Sequence, residues 1–194
     1  MNLIFATANL HKIEEAKNIL GQGITLFTPA DSGYTQEIPE TGNTLEENAL
    51  QKARTIWNVL HQNCFADDTG LEVFALNGAP GVRSARYAGD HACMGANIKK
   101  LLKELAPYGD RRAQFRCVVA LILDGAEFIF EGTIQGTILA EPDGNRGFGY
   151  DPLFLPHGYR ETFASMSPEE KNAISHRALA LQKLQHFLTD SSHA

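Results

Sequence analysis

Apolar residues first cluster at Leu3, Ile4, Phe5 and Ala6, a run suited to a short buried strand. Asn9 then reads as a helix N-cap, and Ile13, Ala16, Lys17 and Leu20 continue a helical pattern up to Gly21. Ile24 to Phe27 predicts a second strand, so the chain opens in α/β fashion. After a loop from Thr28 to Asn43 rich in Pro, Gly and acids, Thr44-Leu45-Glu46-Glu47 resembles a capping box for a helix reaching about Leu60. Two strand-like segments follow, Cys64-Phe65-Ala66 and Leu71-Glu72-Val73-Phe74. Between them Asp67-Asp68-Thr69-Gly70 predicts a tight turn.

Asn77 to Gly81 reads as a loop, and Ala92 to Leu105 as a helix that Pro107 and Gly109 end. Ala113 to Leu123 and Glu127 to Ile138 flank Asp124-Gly125, the strongest hairpin signal in the chain. Glycines 132 and 136 in its second arm suggest bulges or close backbone approach. Pro142 to Pro156 reads as a glycine-rich loop with one apolar piece, Leu153-Phe154-Leu155. Ser167 caps a short helix with Pro168 at its first position, and Ser175 opens a last helix to about Leu188. Ser191 to Ala194 reads as a frayed tail. With 194 residues and no internal repeat or evident linker, the expectation is a single domain over 1–194, either one-lobed or two-lobed.

Composition narrows the functional classes. A net charge of −6 argues against a nucleic-acid backbone or an anionic membrane as the main partner. A small anionic substrate remains compatible, held by local lysines, backbone N–H groups and a divalent cation. Cys64, Cys93 and Cys117 are odd in number and contain no C-x-x-C pair, which fits a reducing, cytoplasmic compartment. Cys117 lies in an apolar run and reads as a small buried hydrophobe. The N-terminus lacks a basic lead and a signal-peptide core, and the longest aliphatic run, Val118 to Leu123, is far too short for a membrane span.

The acids at 67 and 68 are the most informative chemistry. Adjacent carboxylates repel, and a half-buried strand end desolvates them, so a cation or a proton-transfer task must compensate. A solvated hairpin turn is the plain alternative. Glu40, Glu47 and the Asp67-Asp68 pair are hard oxygen donors suited to Mg²⁺ shared with substrate phosphates. Lys52 shares a helix with Glu47; favourable charge in a first turn and a solvated face would also explain both.

Thr7-Ala8-Asn9-Leu10-His11-Lys12 bridges the first strand and helix, where free N–H groups would face an anion; plain capping by Asn9 is the competing reading. In Gly147-Phe148-Gly149-Tyr150-Asp151-Pro152 the glycines let backbone pass close to something, the aromatics offer a stacking surface and Asp151 an acceptor. Lys171, His176 and Arg177 form a donor cluster with only Glu169 and Glu170 nearby in sequence. They would read carbonyl oxygens of a base, or else form a basic helix face. Arg83 and Arg86 are equally compatible with structural and substrate-facing roles.

Much chemistry is absent. No Gly-Lys occurs, so a P-loop is excluded, and no G-x-G-x-x-G follows the first strand. H-E-x-x-H and G-x-S-x-G are also missing. Metal-assisted hydrolysis without an organic cofactor survives.

Taken in order, Thr7 to Lys12, Glu40-Thr41-Gly42, Glu47-Asn48-Ala49 with Lys52-Ala53, and Ala66-Asp67-Asp68-Thr69-Gly70-Leu71 resemble the inosine triphosphate pyrophosphatase family. Gly78-Ala79-Pro80-Gly81, Ser84-Ala85-Arg86-Tyr87, Gly147 to Pro152, Glu170-Lys171 and Ser175-His176-Arg177 continue the match over nearly the whole chain. Thr69 stands where the family also uses serine, and keeps the hydroxyl.

The resemblance implies a two-lobed mixed α/β fold with a long central mixed sheet and a substrate cleft between lobes, a homodimer, and a Mg²⁺ requirement. The implied reaction converts ITP, dITP and XTP to the monophosphate and pyrophosphate. By the same resemblance Thr7, Ala8, Asn9, Leu10, His11 and Lys12, with Lys52, would hold the triphosphate. Glu40 and Asp68 would bind Mg²⁺, and Asp68 would also be the general base. Thr69 would contact substrate, Phe148 and Gly149 would form the stacking loop, and Tyr150 and Asp151 would line the base pocket. Lys171, His176 and Arg177 would recognise the 6-keto edge. A Nudix-type hydrolase lacks its closely spaced Arg-Glu and Glu-Glu helix here. A catalytically silent nucleotide-binding regulatory module is the other alternative, against which Asp68, Lys52 and Glu40 count.

Overall fold

The computed structural model describes residues 1–91 and 93–190. Ala92 and the expected frayed tail, 191–194, lie outside the described residues.

The opening follows local propensity. β1 (Asn2–Phe5) leads to α1 (Leu10–Leu20), capped by Asn9, and then to β2 (Thr25–Phe27). α2 (Leu45–Leu60) starts at Thr44, whose hydroxyl accepts from Glu47 N–H. The reciprocal half of the capping box is displaced by one residue: Glu47 Oε2 accepts from Asn43 N–H at 2.6 Å.

The predicted acidic turn is not a turn. β3 runs without interruption from Cys64 to Val73, with Asp67 and Asp68 in its middle. Burial on both faces overrides the local turn chemistry, as in strands covered on both sides. Gly70 serves packing there: a Cβ would lie 2.6 Å from Gly81 O. Gly81 belongs to β4 (Pro80–Gly81), which pairs antiparallel with Leu71 and Glu72 in a stretch read from the sequence as loop.

α3 spans Met94–Leu105. β5 (Arg112–Leu123) and β6 (Ala126–Ile138) form the expected hairpin. Its turn residues Asp124 and Gly125 both take positive φ, 50° and 85°, as a two-residue hairpin turn requires. β7 (Phe154–Pro156) emerges from the glycine-rich loop and pairs antiparallel with β6. Gly136 allows it, since a Cβ there would sit 2.5 Å from Leu155 O. α4 (Pro168–Ile174) carries a complete capping box between Ser167 and Glu170, and α5 (His176–Asp190) ends the described chain.

The sheet is mixed, in the order β2-β1-β3-β5-β6-β7, with β4 on β3 and β1 parallel to both β2 and β3. The fold is thus mixed α/β, as expected. The chain divides into two compact units. The first comprises 1–68, 117–132 and 177–194; the second comprises 69–116 and 133–176. In the first, Leu3, Phe5 and Phe65 pack with Ile13, Ala16 and Leu20 of α1 and with Ala180, Leu181 and Leu184 of α5. In the second, Leu71, Val73, Leu101, Leu105, Phe115, Phe154 and Phe163 form the core. No helix of the described residues is long and apolar enough to cross a membrane.

Candidate active site

Successive residues of a strand face opposite sides, so Asp67 and Asp68 are separated by the sheet rather than paired. In the first unit Asp68 lies on the α2 side. The buried stripe of α2 is Leu45, Asn48, Ala49, Lys52, Ala53 and Ile56, an apolar stripe interrupted by two polar residues. Asn48 and Lys52 are one helical turn apart and reach the same carboxylate. Lys52 Nζ stands 3.2 Å from Asp68 Oδ1, and Asn48 Nδ2 donates to Asp68 Oδ2 at 3.2 Å. Lys52 Nζ also meets Glu40 Oε1 at 2.7 Å. The Glu40 side chain remains 39% exposed, whereas Asp68 is buried.

Asn48 escaped the sequence reading as a site residue. Its Oδ1 accepts from Gly42 N–H at 2.7 Å while its amide holds Asp68, so it ties the Glu40-Thr41-Gly42 loop to the strand. A polar residue inside an apolar helical stripe was the available signal. Glu47, in contrast, is spent on the helix start.

Burial pushes the Asp68 carboxyl above its ordinary value; Lys52 and Lys12 oppose the shift without cancelling it, and Glu40 adds to it. Desolvation alone would depress Lys52, but Asp68, Asp67 and Glu40 hold its ammonium above the usual value. The result is a desolvated carboxylate beside a firmly charged ammonium.

Asp67 faces α1 and α5. Lys12 Nζ meets its Oδ1 at 2.9 Å and Arg177 Nε donates to its Oδ2 at 3.0 Å. Arg177 also pairs with Glu15 of α1. Burial raises the Asp67 carboxyl, yet Lys12 and Arg177 overcome it and hold it well below the usual carboxylate range. Lys12 is thus docked on Asp67. One expectation is corrected here. The Lys171, His176 and Arg177 cluster does have acids to neutralise it: Arg177 has Asp67 and Glu15, and Lys171 has Asp151.

The Thr7–Lys12 loop is exposed at Ala8, Asn9, Leu10 and His11, with Leu10 at 72%. Thr7 Oγ1 accepts from Asn9 N–H at 3.2 Å. Asn9 Oδ1 accepts from the N–H groups of His11 and Lys12 at 3.0 and 3.3 Å. The expected free N–H groups are therefore partly taken up by the cap.

The second unit holds Thr69, the glycine–aromatic loop, Lys171 and His176. Asp151 Oδ2 accepts from Lys171 Nζ at 2.8 Å and from Phe148 N–H at 2.9 Å. Gly147 has φ 71°, and a Cβ there would fall onto that carboxylate, so the loop requires glycine. Lys171 Nζ lies 4.8 Å from the centroid of the half-buried Phe148 ring. His176 is not a surface histidine: it is buried, and its ring stacks on Phe115 at 4.7 Å with 10° between planes.

Tyr150 is buried with its hydroxyl on Ser84 O at 3.0 Å. Ser84 Oγ in turn accepts from Leu71 N–H and donates to Gly81 O. Ser84 thereby joins the strand just beyond Thr69-Gly70 to the glycine–aromatic loop, a link that sequence spacing could not reveal.

A sequence model of the Ham1 family matches residues 3–187. A dITP/XTP pyrophosphatase of Christiangramia forsetii is 48% identical over 97% of this chain and 100% of its own length. One of Porphyromonas gingivalis is 50% identical over 96% of both chains. Among solved structures, the Staphylococcus aureus Ham1 protein superposes with a TM-score of 0.91 at 40% identity, covering 98% of this chain and 100% of that one.

Proposed function

The chain belongs to the Ham1 family, and from that premise we propose that it hydrolyses the purine nucleoside triphosphates ITP, dITP and XTP to the monophosphate and pyrophosphate. It is a nucleoside triphosphate pyrophosphatase that removes deaminated purines from the nucleotide pool. The observation that carries the mechanism is the Asp68 environment. A carboxylate lifted by burial and oriented at both oxygens by Lys52 and Asn48 suits a general base. In our reading Asp68 takes the proton from the water that attacks the α-phosphorus. Lys52 and Lys12 offset the charge of the departing pyrophosphate, and the Thr7–His11 loop and Thr69 position the triphosphate.

Glu40 and Asp68 converge on one ammonium and present two hard carboxylates, a donor set that fits Mg²⁺ when phosphate oxygens and water complete its shell. Among the described residues no group of three or more His, Cys, Asp or Glu gathers into a protein-only metal cage. Bound there, Mg²⁺ would supply Lewis-acid neutralisation of the phosphate oxygens.

At the base end, Phe148 offers a stacking face and Tyr150 and Asp151 shape the loop. Lys171 and His176 would donate to the 6-oxo group. Adenine presents an amino donor at that position, so donors would face a donor, a mismatch worth roughly 10⁴-fold in discrimination. A cytoplasmic homodimer belongs to the same reading, supported for the compartment by an odd number of cysteines with no C-x-x-C pair.

Phosphorus NMR of the products tests the bond cleaved. ITP with Mg²⁺ should give IMP and pyrophosphate. Orthophosphate with a diphosphate product would overturn the attack position, and ITP binding without turnover would leave a silent nucleotide-binding module.

A further inference from the structure

On the α2 side of β3 the ammonium of Lys52 spans two carboxylates from different segments. The Lys52 side chain is 6% exposed, and its Nζ stands 2.7 Å from Glu40 Oε1 and 3.2 Å from Asp68 Oδ1. Asp68 and the segment that carries Glu40 are anchored by other groups. Asn48 donates to the other Asp68 oxygen. The three successive N–H groups after Glu40 are each accepted by a side chain of α2: Thr41 by Gln51 Oε1 at 2.9 Å, Gly42 by Asn48 Oδ1 at 2.7 Å and Asn43 by Glu47 Oε2 at 2.6 Å. Gln51 Nε2 also donates to Thr41 Oγ1 at 2.9 Å. A Cβ on Gly42 would lie 2.6 Å from Glu47 Cβ, so the segment is seated directly on the helix. Glu40, Asp68 and Lys52 together leave a single negative charge.

We propose that Lys52 is an internal competitor for the divalent cation: its ammonium occupies Glu40 and Asp68 until a triphosphate arrives, so that the protein alone takes up the ion poorly. The oxygens that Lys52 bridges are the ones that would hold Mg²⁺. A doubly charged ion on them would face a like charge within the same site, where burial weakens screening. A triphosphate changes the balance on both sides. Its oxygens complete the shell of the ion, and they accept the N–H groups of an ammonium displaced from the carboxylates. Lysine suits such an exchange, being a compact charge on a flexible stem rather than a planar fork fixed on one carboxylate. Lys52 thereby sets the order of arrival, on the reading that Glu40 and Asp68 receive Mg²⁺ together with substrate.

Titration of the intact, nucleotide-free protein with Mn²⁺, read by the electron paramagnetic resonance signal of the free ion, tests this without turnover. Lys52→Met should bind Mn²⁺ about tenfold or more tightly than wild type, the scale on which one neighbouring charge shifts a carboxylate equilibrium. Lys52→Arg keeps the positive charge and should stay near the wild-type affinity. Asp68→Asn added to Lys52→Met should remove the gain, which places the ion on this pair. Lys52→Gln carries the test if Lys52→Met does not fold. A lysine that only supports the fold would act in the other direction, since its loss would leave Mn²⁺ affinity unchanged or lower. Unchanged or weaker binding in the neutral variants, an equal gain in Lys52→Arg, or a gain that survives Asp68→Asn would overturn the proposal. The activity reading would fail differently, by ITP turnover absent in wild type, and the gain in Mn²⁺ affinity would stand without it.

Discussion

The two faces of β3 between Cys64 and Asp68 treat chemically identical groups in opposite ways. On the α1 and α5 face, Asp67 is burdened by burial but meets two cations, and its carboxyl stays ionised well below the usual range. On the α2 face, Asp68 meets one lysine that it shares with Glu40, and burial wins, so its carboxyl rises. Cys64, two residues before Ala66 on the same α2 face, shows the same desolvation: its thiol is pushed up to about 12. One strand therefore carries a locked carboxylate and, on the adjacent residue, one whose proton affinity burial raises. Environments that drive neighbouring titratable groups apart are how a fold assigns separate roles to like residues.

The sharpest way to break this contrast is to neutralise the α2-face acid. Asp68→Asn keeps the volume and the contact with Asn48 but removes the proton acceptor. ITP turnover should fall by roughly 10²-fold or more, the scale of a lost general base. Circular dichroism on the same sample should match wild type. A folded variant with near-normal turnover would remove Asp68 from the mechanism and leave the two faces functionally alike.

The next effect is on stability and compares the cations. Arg177→Met leaves buried Asp67 with Lys12 alone and strips Glu15 of its partner. Unfolding free energy should drop by about 3–5 kcal/mol, as for a buried pair that loses one member. Lys52→Met leaves Asp68 its bond from Asn48 and Glu40 its solvent, so the loss should be smaller, about 1–3 kcal/mol. Urea melts of both variants decide it. A larger loss for Lys52→Met would mean that the α2 face, not the α1 and α5 face, is the locked one.

The features legible in the sequence were local. Caps at Asn9, Thr44 and Ser167 and the Asp124-Gly125 turn depend on residues a few positions apart, and each formed where expected. Asp67 to Gly70 was misread because its turn chemistry is local while the burial that overrides it is tertiary. β4 and β7, two and three residues long, are too short to show a period. The candidate residues could be named from motifs, but their grouping could not. Arg177 meets Glu15 across 162 residues and Asp67 across 110, whereas its sequence neighbour His176 stacks in the core of the second unit. Adjacent positions at the junction of α4 and α5, Ser175-His176-Arg177, conceal that division.

The smallest effect reads the desolvation of the α2 face directly, through Cys64. Its Sγ donates to Ala53 O at 3.3 Å inside the core under α2. In the unfolded chain the thiol loses its proton near the ordinary value of about 8.5, whereas the folded protein keeps it to about 12. The folded state thus binds more protons between these values, and stability must fall as pH rises. Below the ordinary thiol value the group contributes no pH dependence. Through the window its contribution should steepen the decline by up to about 1.4 kcal/mol per pH unit, one proton's worth. Cys64→Ser retains a small donor for Ala53 O but does not titrate there. Urea melts from pH 8 to 11 should therefore show a shallower alkaline decline for the serine variant than for wild type. Parallel declines would mean that water reaches the α2 face, and with it that burial is not what lifts Asp68.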